Sequence, residues 1–150
     1  MTAVLVAEGW PALRLQRVWP SPPQLYGSLG NDNAAVLFEY PIPGDPMGFP
    51  SNLRYMYFST WHWTPMVNGY SGFLPSGYGN LARAMAEFPD GPSVAYLQGQ
   101  GVTHVTVHCS ADVGRPCRDV LPRLDADPRF RLITTTHFEG QPARLYVLAR

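Results

Sequence analysis

RYMYFSTWHWTPMVNGYSGFLPSGY, residues 54–78, is the stretch from which the fold is read. It carries two of the four tryptophans and one of the four histidines of the chain. Tyr55, Phe58, Ser59 and His62 fall at i, i+3, i+4 and i+7, which is one face of two helical turns. Thr64-Pro65 ends that helix, because a residue before proline is pushed out of the helical region. Pro65 to Tyr70 then reads as a short buried strand, and Ser71 to Gly77 as a turn-rich loop feeding another helix. A helix, a strand end and a loop thus converge, bringing aromatic and small polar groups, and a site is expected there.

Upstream, Val4-Leu5-Val6 and Leu13 to Val18 read as strands, the second alternating like an edge strand. Ser21 caps a short helix over Pro22 to Leu29. Ala34 to Tyr40 is an apolar run with one acid, Glu39, and reads as a buried central strand. Glu39 sits at its C-terminal end, where open sheets place ligands, although a carboxylate there is more often simply solvated. The proline-rich segment from Pro41 to Ser51 is expected to cover that end.

Downstream, Tyr78 to Phe88 is amphipathic and Pro89 to Pro92 breaks it. Ser93 to Gln100 is a second short helix, and Val102 to His108 is an alternating strand. A helix beginning near Pro116 runs to about Ala126. Phe130 to Thr136 and Ala143 to Leu148 close the chain as a hairpin around Phe138 to Gln141. Strands separated by helices predict one α/β domain over residues 1–150, a layered sandwich with a mixed, mainly parallel sheet and a C-terminal hairpin.

The chain has 150 residues, enough for a real core, with 15% charged residues and a formal net charge of zero. No basic face favours nucleic acid, and no acidic tail argues for a charged partner. All eleven basic residues are arginine. No apolar run approaches the ~20 residues needed to span a bilayer. The opening Met1 to Glu8 lacks a basic leader and does not read as a signal peptide, so the isolated chain is expected to be soluble. There is no internal repeat and no glycine-rich phosphate loop after any strand, and no cofactor is implied.

His104 and His108 share one strand face but stand about 13 Å apart at ~3.3 Å per residue, too far to share a metal. Cys109 and Cys117 lack zinc-ligand spacing, so no metal site is expected. A disulfide between them is left open by the count alone. Gly69-Tyr70-Ser71-Gly72-Phe73 is similar to a nucleophile elbow, with Phe73 in place of the last glycine. On that reading Ser71 is a nucleophile, with His62 or His108 and Glu39 as partners. The plainer account is that Asn68, Gly69 and Gly72 supply the backbone freedom to leave the strand. Tyr55, Ser59, Trp63, Asn68 and Tyr70 are the candidate binding groups, since amphipathic rings stack on sugars and keep a polar edge. An ordinary aromatic core explains the same composition.

The order of features resembles the soluble C-terminal domain of bacterial polytopic membrane proteins related to the GT-C glycosyltransferases. The pattern is a strand ending in an acid and proline (Glu39, Pro41), then Y-M-x-x-S-T-x-H-W-x-P-x-V-N-G-Y-S-G-F. This chain matches it at Tyr55, Met56, Ser59, Thr60, His62, Trp63, Pro65 and Val67 to Phe73. Phe88-Pro89 and Gly101-Val102 through Val107-His108 follow in register, so the resemblance spans about Leu13 to Leu148. It implies an extracytoplasmic domain capping a membrane part that uses a polyprenyl-phosphate sugar donor, with the catalytic acid between early membrane helices absent here. It implies a glycan, a lipid-linked sugar or the membrane-embedded transferase part as partner. On side-chain chemistry, and not as a family role, Tyr55, His62, Asn68 and Tyr70 are the groups expected to make acceptor or donor contacts. Met1 opens the chain with no span before it, which fits a cut-out domain, a fragment or a free-standing relative.

Overall fold

The computed structural model describes residues 18–29, 34–42, 49–69, 75–109 and 117–149. Of the expected strands, Val4–Val6 lies outside them, and so does Leu13–Val18 except for Val18, which is in no strand. A 3₁₀ helix, Gln24–Leu29, stands where the short capped helix is expected. Strand β1 is Leu37–Tyr40, helix α1 is Phe49–His62 and helix α2 is Tyr78–Ala84. Helix α3, Gly91–Gly99, is followed by strand β2, His104–His108. Helix α4, Cys117–Ala126, leads to the hairpin of β3, Phe130–Phe138, and β4, Gln141–Leu148.

The four strands run in the order β1-β2-β4-β3. β1 and β2 are parallel, while β2 with β4 and β3 with β4 are antiparallel. The fold is therefore mixed α/β, but the sheet is mostly antiparallel rather than mainly parallel. The physical reason is the hairpin. A two-residue turn, Glu139-Gly140, has φ of 53° and 75°, the left-handed pair that matches strand twist in tight hairpins. It folds β4 back between β3 and β2, so two of the three strand pairs become antiparallel.

Alternation along the strands sends side chains to opposite faces. Leu37, Ala143 and Leu145 pack with Leu25, Tyr26, Leu29 and Phe58 from the 3₁₀ helix and α1. Phe38, Tyr40, Val105, Val107, Tyr146 and Leu148 pack with the apolar sides of α2, α3 and α4 on the other face. Each such large apolar side chain, fully buried, contributes about 1.5–3 kcal/mol from removal of surface from water.

Local chemistry moved several boundaries. The expected breaker, Pro89 to Pro92, separates α2 from α3, but α3 begins within it, at Gly91 rather than Ser93, with Asp90 as its cap. The Asp90 carboxylate accepts from Ser93 N at 2.9 Å and Ser93 Oγ accepts from Asp90 N at 2.9 Å, a reciprocal cap. Helix α2 stops at Ala84, short of the expected Phe88. The strand expected over Pro65–Tyr70 is a single bridge, Met66 to Leu37, held by Leu37 N to Pro65 O at 2.8 Å and Val67 N to Leu37 O at 3.0 Å. Cys109 and Cys117 are joined in a disulfide with Cα atoms 5.5 Å apart, tying the end of β2 to the start of α4.

Candidate functional site

Glu39 lies on the β1 face that meets the 3₁₀ helix and α1, with Thr106 paired to it across β2. Its side chain is fully buried. Oε1 accepts from the Tyr26 hydroxyl at 2.8 Å. Oε2 faces His108 Nε2 at 2.8 Å and also accepts from the Thr106 hydroxyl. Tyr26 Oη and His108 Nε2 are 3.3 Å apart. Burying a carboxyl without partners is expensive, and three donors, Tyr26 from the 3₁₀ helix and Thr106 and His108 from β2, offset that cost. The Tyr55 ring stacks on His108 at 5.1 Å, and the His62 ring stacks on Tyr26 at 4.8 Å. Tyr55 donates its hydroxyl to Pro41 O at 3.1 Å.

Asn68 is also buried and serves the backbone. Its Oδ1 accepts from Glu39 N at 3.0 Å and its Nδ2 donates to Glu39 O at 3.0 Å. The side-chain amide thus continues the ladder that residues 65–67 begin along the outer edge of β1. Asn68 Nδ2 also approaches Asn52 Oδ1 at 3.5 Å, and Asn52 Nδ2 donates to the Tyr78 hydroxyl at 2.7 Å.

Burial, followed by the neighbouring Glu39, pushes the Tyr26 and Tyr55 phenols well above their ordinary range. Both remain neutral hydroxyls at any physiological pH. Burial lowers His62, and the attraction of Glu39 only partly opposes this. His62 Nδ1 accepts from Thr64 N at 3.1 Å. The proton of the neutral ring therefore sits on Nε2, which is buried and has no hydrogen-bond partner among the described residues. A triad histidine needs the reverse, a lone pair on the nitrogen facing the nucleophile.

Of the residues singled out from the sequence, the structure brings Glu39, Tyr55, His62 and Asn68 into one neighbourhood. Ser71 and Tyr70 lie outside the described residues. Ser59 donates its hydroxyl to Met56 O at 2.7 Å, within its own helix. Trp63 stands apart, 81% exposed, with Trp61 at 42%. Glu39, expected at an open strand end, is instead enclosed because Tyr26, Thr106 and His108 close around it. Sequence reasoning missed Tyr26 and Thr106, and placed His108 beside Glu39 only as one alternative to His62 in a hydrolase triad. The signal was present in Glu39, Thr106 and His108, three polar groups inside strands whose neighbours are apolar. A cavity of about 100 Å³ opens nearby, lined by Val67, Ser76, Tyr78, Leu81, Tyr96 and Gln100 among others. Among the described residues no cluster of histidine, cysteine and acid side chains could hold a metal.

This arrangement orders a polar core and presents aromatic rings beside it. Comparison with protein-family models, with curated proteins and with solved structures finds no match.

Proposed function

We propose that this chain is a non-catalytic accessory domain, similar to the extracytoplasmic C-terminal domain of a membrane glycosyltransferase. Its aromatic stretch engages a lipid-linked sugar, a glycan or the membrane-embedded part. One observation carries this reading. Tyr55 and Asn68 are buried and bonded to their own fold, while Trp61 and Trp63 stand in solvent at the end of α1. Exposed tryptophans offer stacking area and an N–H, the chemistry of sugar rings and of the membrane interface. Within the described residues no helix is long and apolar enough to cross a membrane, so the domain would meet that partner from outside the bilayer.

The test is tryptophan emission of the full chain with soluble oligosaccharides, plain nanodiscs, and nanodiscs carrying a polyprenyl-phosphate sugar. A blue shift with one of these, lost in the Trp61→Ala/Trp63→Ala double variant, is the expected result. No response to any of the three would overturn the reading. Ester hydrolysis abolished by Ser71→Ala would favour instead a small free-standing serine hydrolase using Ser71 and His62, which needs His62 in the other tautomer.

A further inference from the structure

Leu37, His104, Val147 and Arg131 form one cross-strand row from β1 to β3. Directly paired residues point to the same face of a sheet. Leu37 packs under the 3₁₀ helix, so the whole row faces that side. The 3₁₀ helix ends at Leu29, and at this end of the sheet a cleft of about 560 Å³ opens. Ser28, Thr103, His104 and Arg131 line it with polar groups, and Ile133 and Val147 give it an apolar floor. The Thr103 hydroxyl lies 2.9 Å from His104 Nδ1 and anchors that ring.

Arg131 is the unusual member. Among the described residues every other arginine has a partner for its guanidinium. Arg54 pairs with Glu139, Arg118 with Asp119, Arg129 with Asp127 and Arg144 with Asp125. Arg83 donates to Asn80, and Arg123 to the carbonyls of Glu87 and Pro89. Arg131 alone has none among the described residues, and no described carboxylate lines the cleft beside it. A guanidinium is a planar fork matched to carboxylate and phosphate oxygens.

We propose that this cleft binds a small oxyanion, a phosphate ester or a carboxylate, that carries an apolar group. Arg131 takes the oxygens, and Ile133 and Val147 pack against the apolar part. The site stands on observations separate from the tryptophans and does not depend on the accessory-domain reading.

The experiment is an NMR titration of the full chain at constant ionic strength, following the Ile133 and Val147 methyls and Arg131 Nε. The probes are inorganic phosphate, butyl phosphate, hexanoate and, as the neutral control, hexanol. The expected result is saturating shifts with butyl phosphate or hexanoate, tighter than with inorganic phosphate. Whichever binds more tightly identifies the source of the oxyanion. Arg131→Gln should weaken binding about tenfold, the scale of one charge-assisted pair. Arg118→Gln, at an exposed site on α4 outside the cleft lining, should leave it unchanged. The proposal is overturned if no probe saturates, if hexanol shifts the same groups as strongly, or if the two arginine variants behave alike. Arg131 is exposed and its side chain makes no hydrogen bond or ion pair among the described residues that its loss would break, so the variant keeps its fold, and the wild-type titration is decisive alone.

Discussion

At the scale of single residues, Glu39 is the group on which most of the buried polar chemistry depends. Glu39→Gln puts an amide N–H where a donor already points, so one buried group loses its partner. A loss of about 1–3 kcal/mol is expected in urea unfolding, the scale of leaving a buried polar group unsatisfied. Tyr26→Phe removes one of three donors and should cost about 1–3 kcal/mol. The titrating groups set the pH window. Tyr26 and Tyr55 are raised above 10.0, the ordinary phenol value. Tyr146 is pushed up to about 12, first by burial. The unfolded phenols ionise first, so their contribution is complete below pH 10 and declines as pH rises above it. His62 lies below 6.5, so the unfolded chain takes that proton first and stability falls as pH drops below 6.5. Chemical denaturation at a series of pH values should show both slopes, with the alkaline slope shallower in Tyr26→Phe and the acidic slope shallower in His62→Gln. Glu39 itself was visible in the sequence, but its enclosure was not. Tyr26 comes from a proline-rich segment whose packing depends on contacts distant in sequence.

At the scale of elements, the end of α1 shows a conflict between stability and exposure. Trp63 has φ of 52°, a left-handed conformation that costs a side-chain-bearing residue about 1–2 kcal/mol, and its ring is in water. Its N–H donates to Ser59 O at 2.8 Å, closing the helix as glycine usually does. Trp63→Gly should therefore stabilise the fold by about 0.5–1 kcal/mol while weakening the proposed aromatic contact. A thermal melt read beside the emission titration checks both signs. The disulfide joins β2 to α4 across a sequence separation of 8. By loop-closure entropy its reduction should cost about 2.5 kcal/mol, seen as a lower melting temperature in reductant. Helix positions were legible because apolar spacing and caps are local. The strand expected at Pro65 was not, since past its single bridge a side-chain amide replaces the backbone.

At the scale of the whole molecule, alternation of helices and strands correctly indicated an α/β fold, and the Glu139-Gly140 turn region correctly indicated a hairpin. The strand order was hidden, because nothing local says that β4 inserts beside β2. Among the described strands β2 and β4 are central, paired on both sides. Their amides should exchange most slowly with deuterated solvent, and the outward-facing amides of β3 faster, as measured by native-state hydrogen exchange. Strands in the reverse arrangement, with β3 central, would give the opposite ranking.

The amide of Asn68 has a further consequence for association between copies. It occupies both the N–H and the C=O of Glu39, and the Met66 bridge occupies Leu37, so the outer side of β1 is sealed against an incoming strand. Among the described residues only β3 offers an open flank. A protomer with two open flanks can polymerise without limit, whereas one with a single flank can only be capped or pair with its like. Asn68 thus makes any sheet-to-sheet encounter self-terminating, and Asn68→Ala would restore a second growth point.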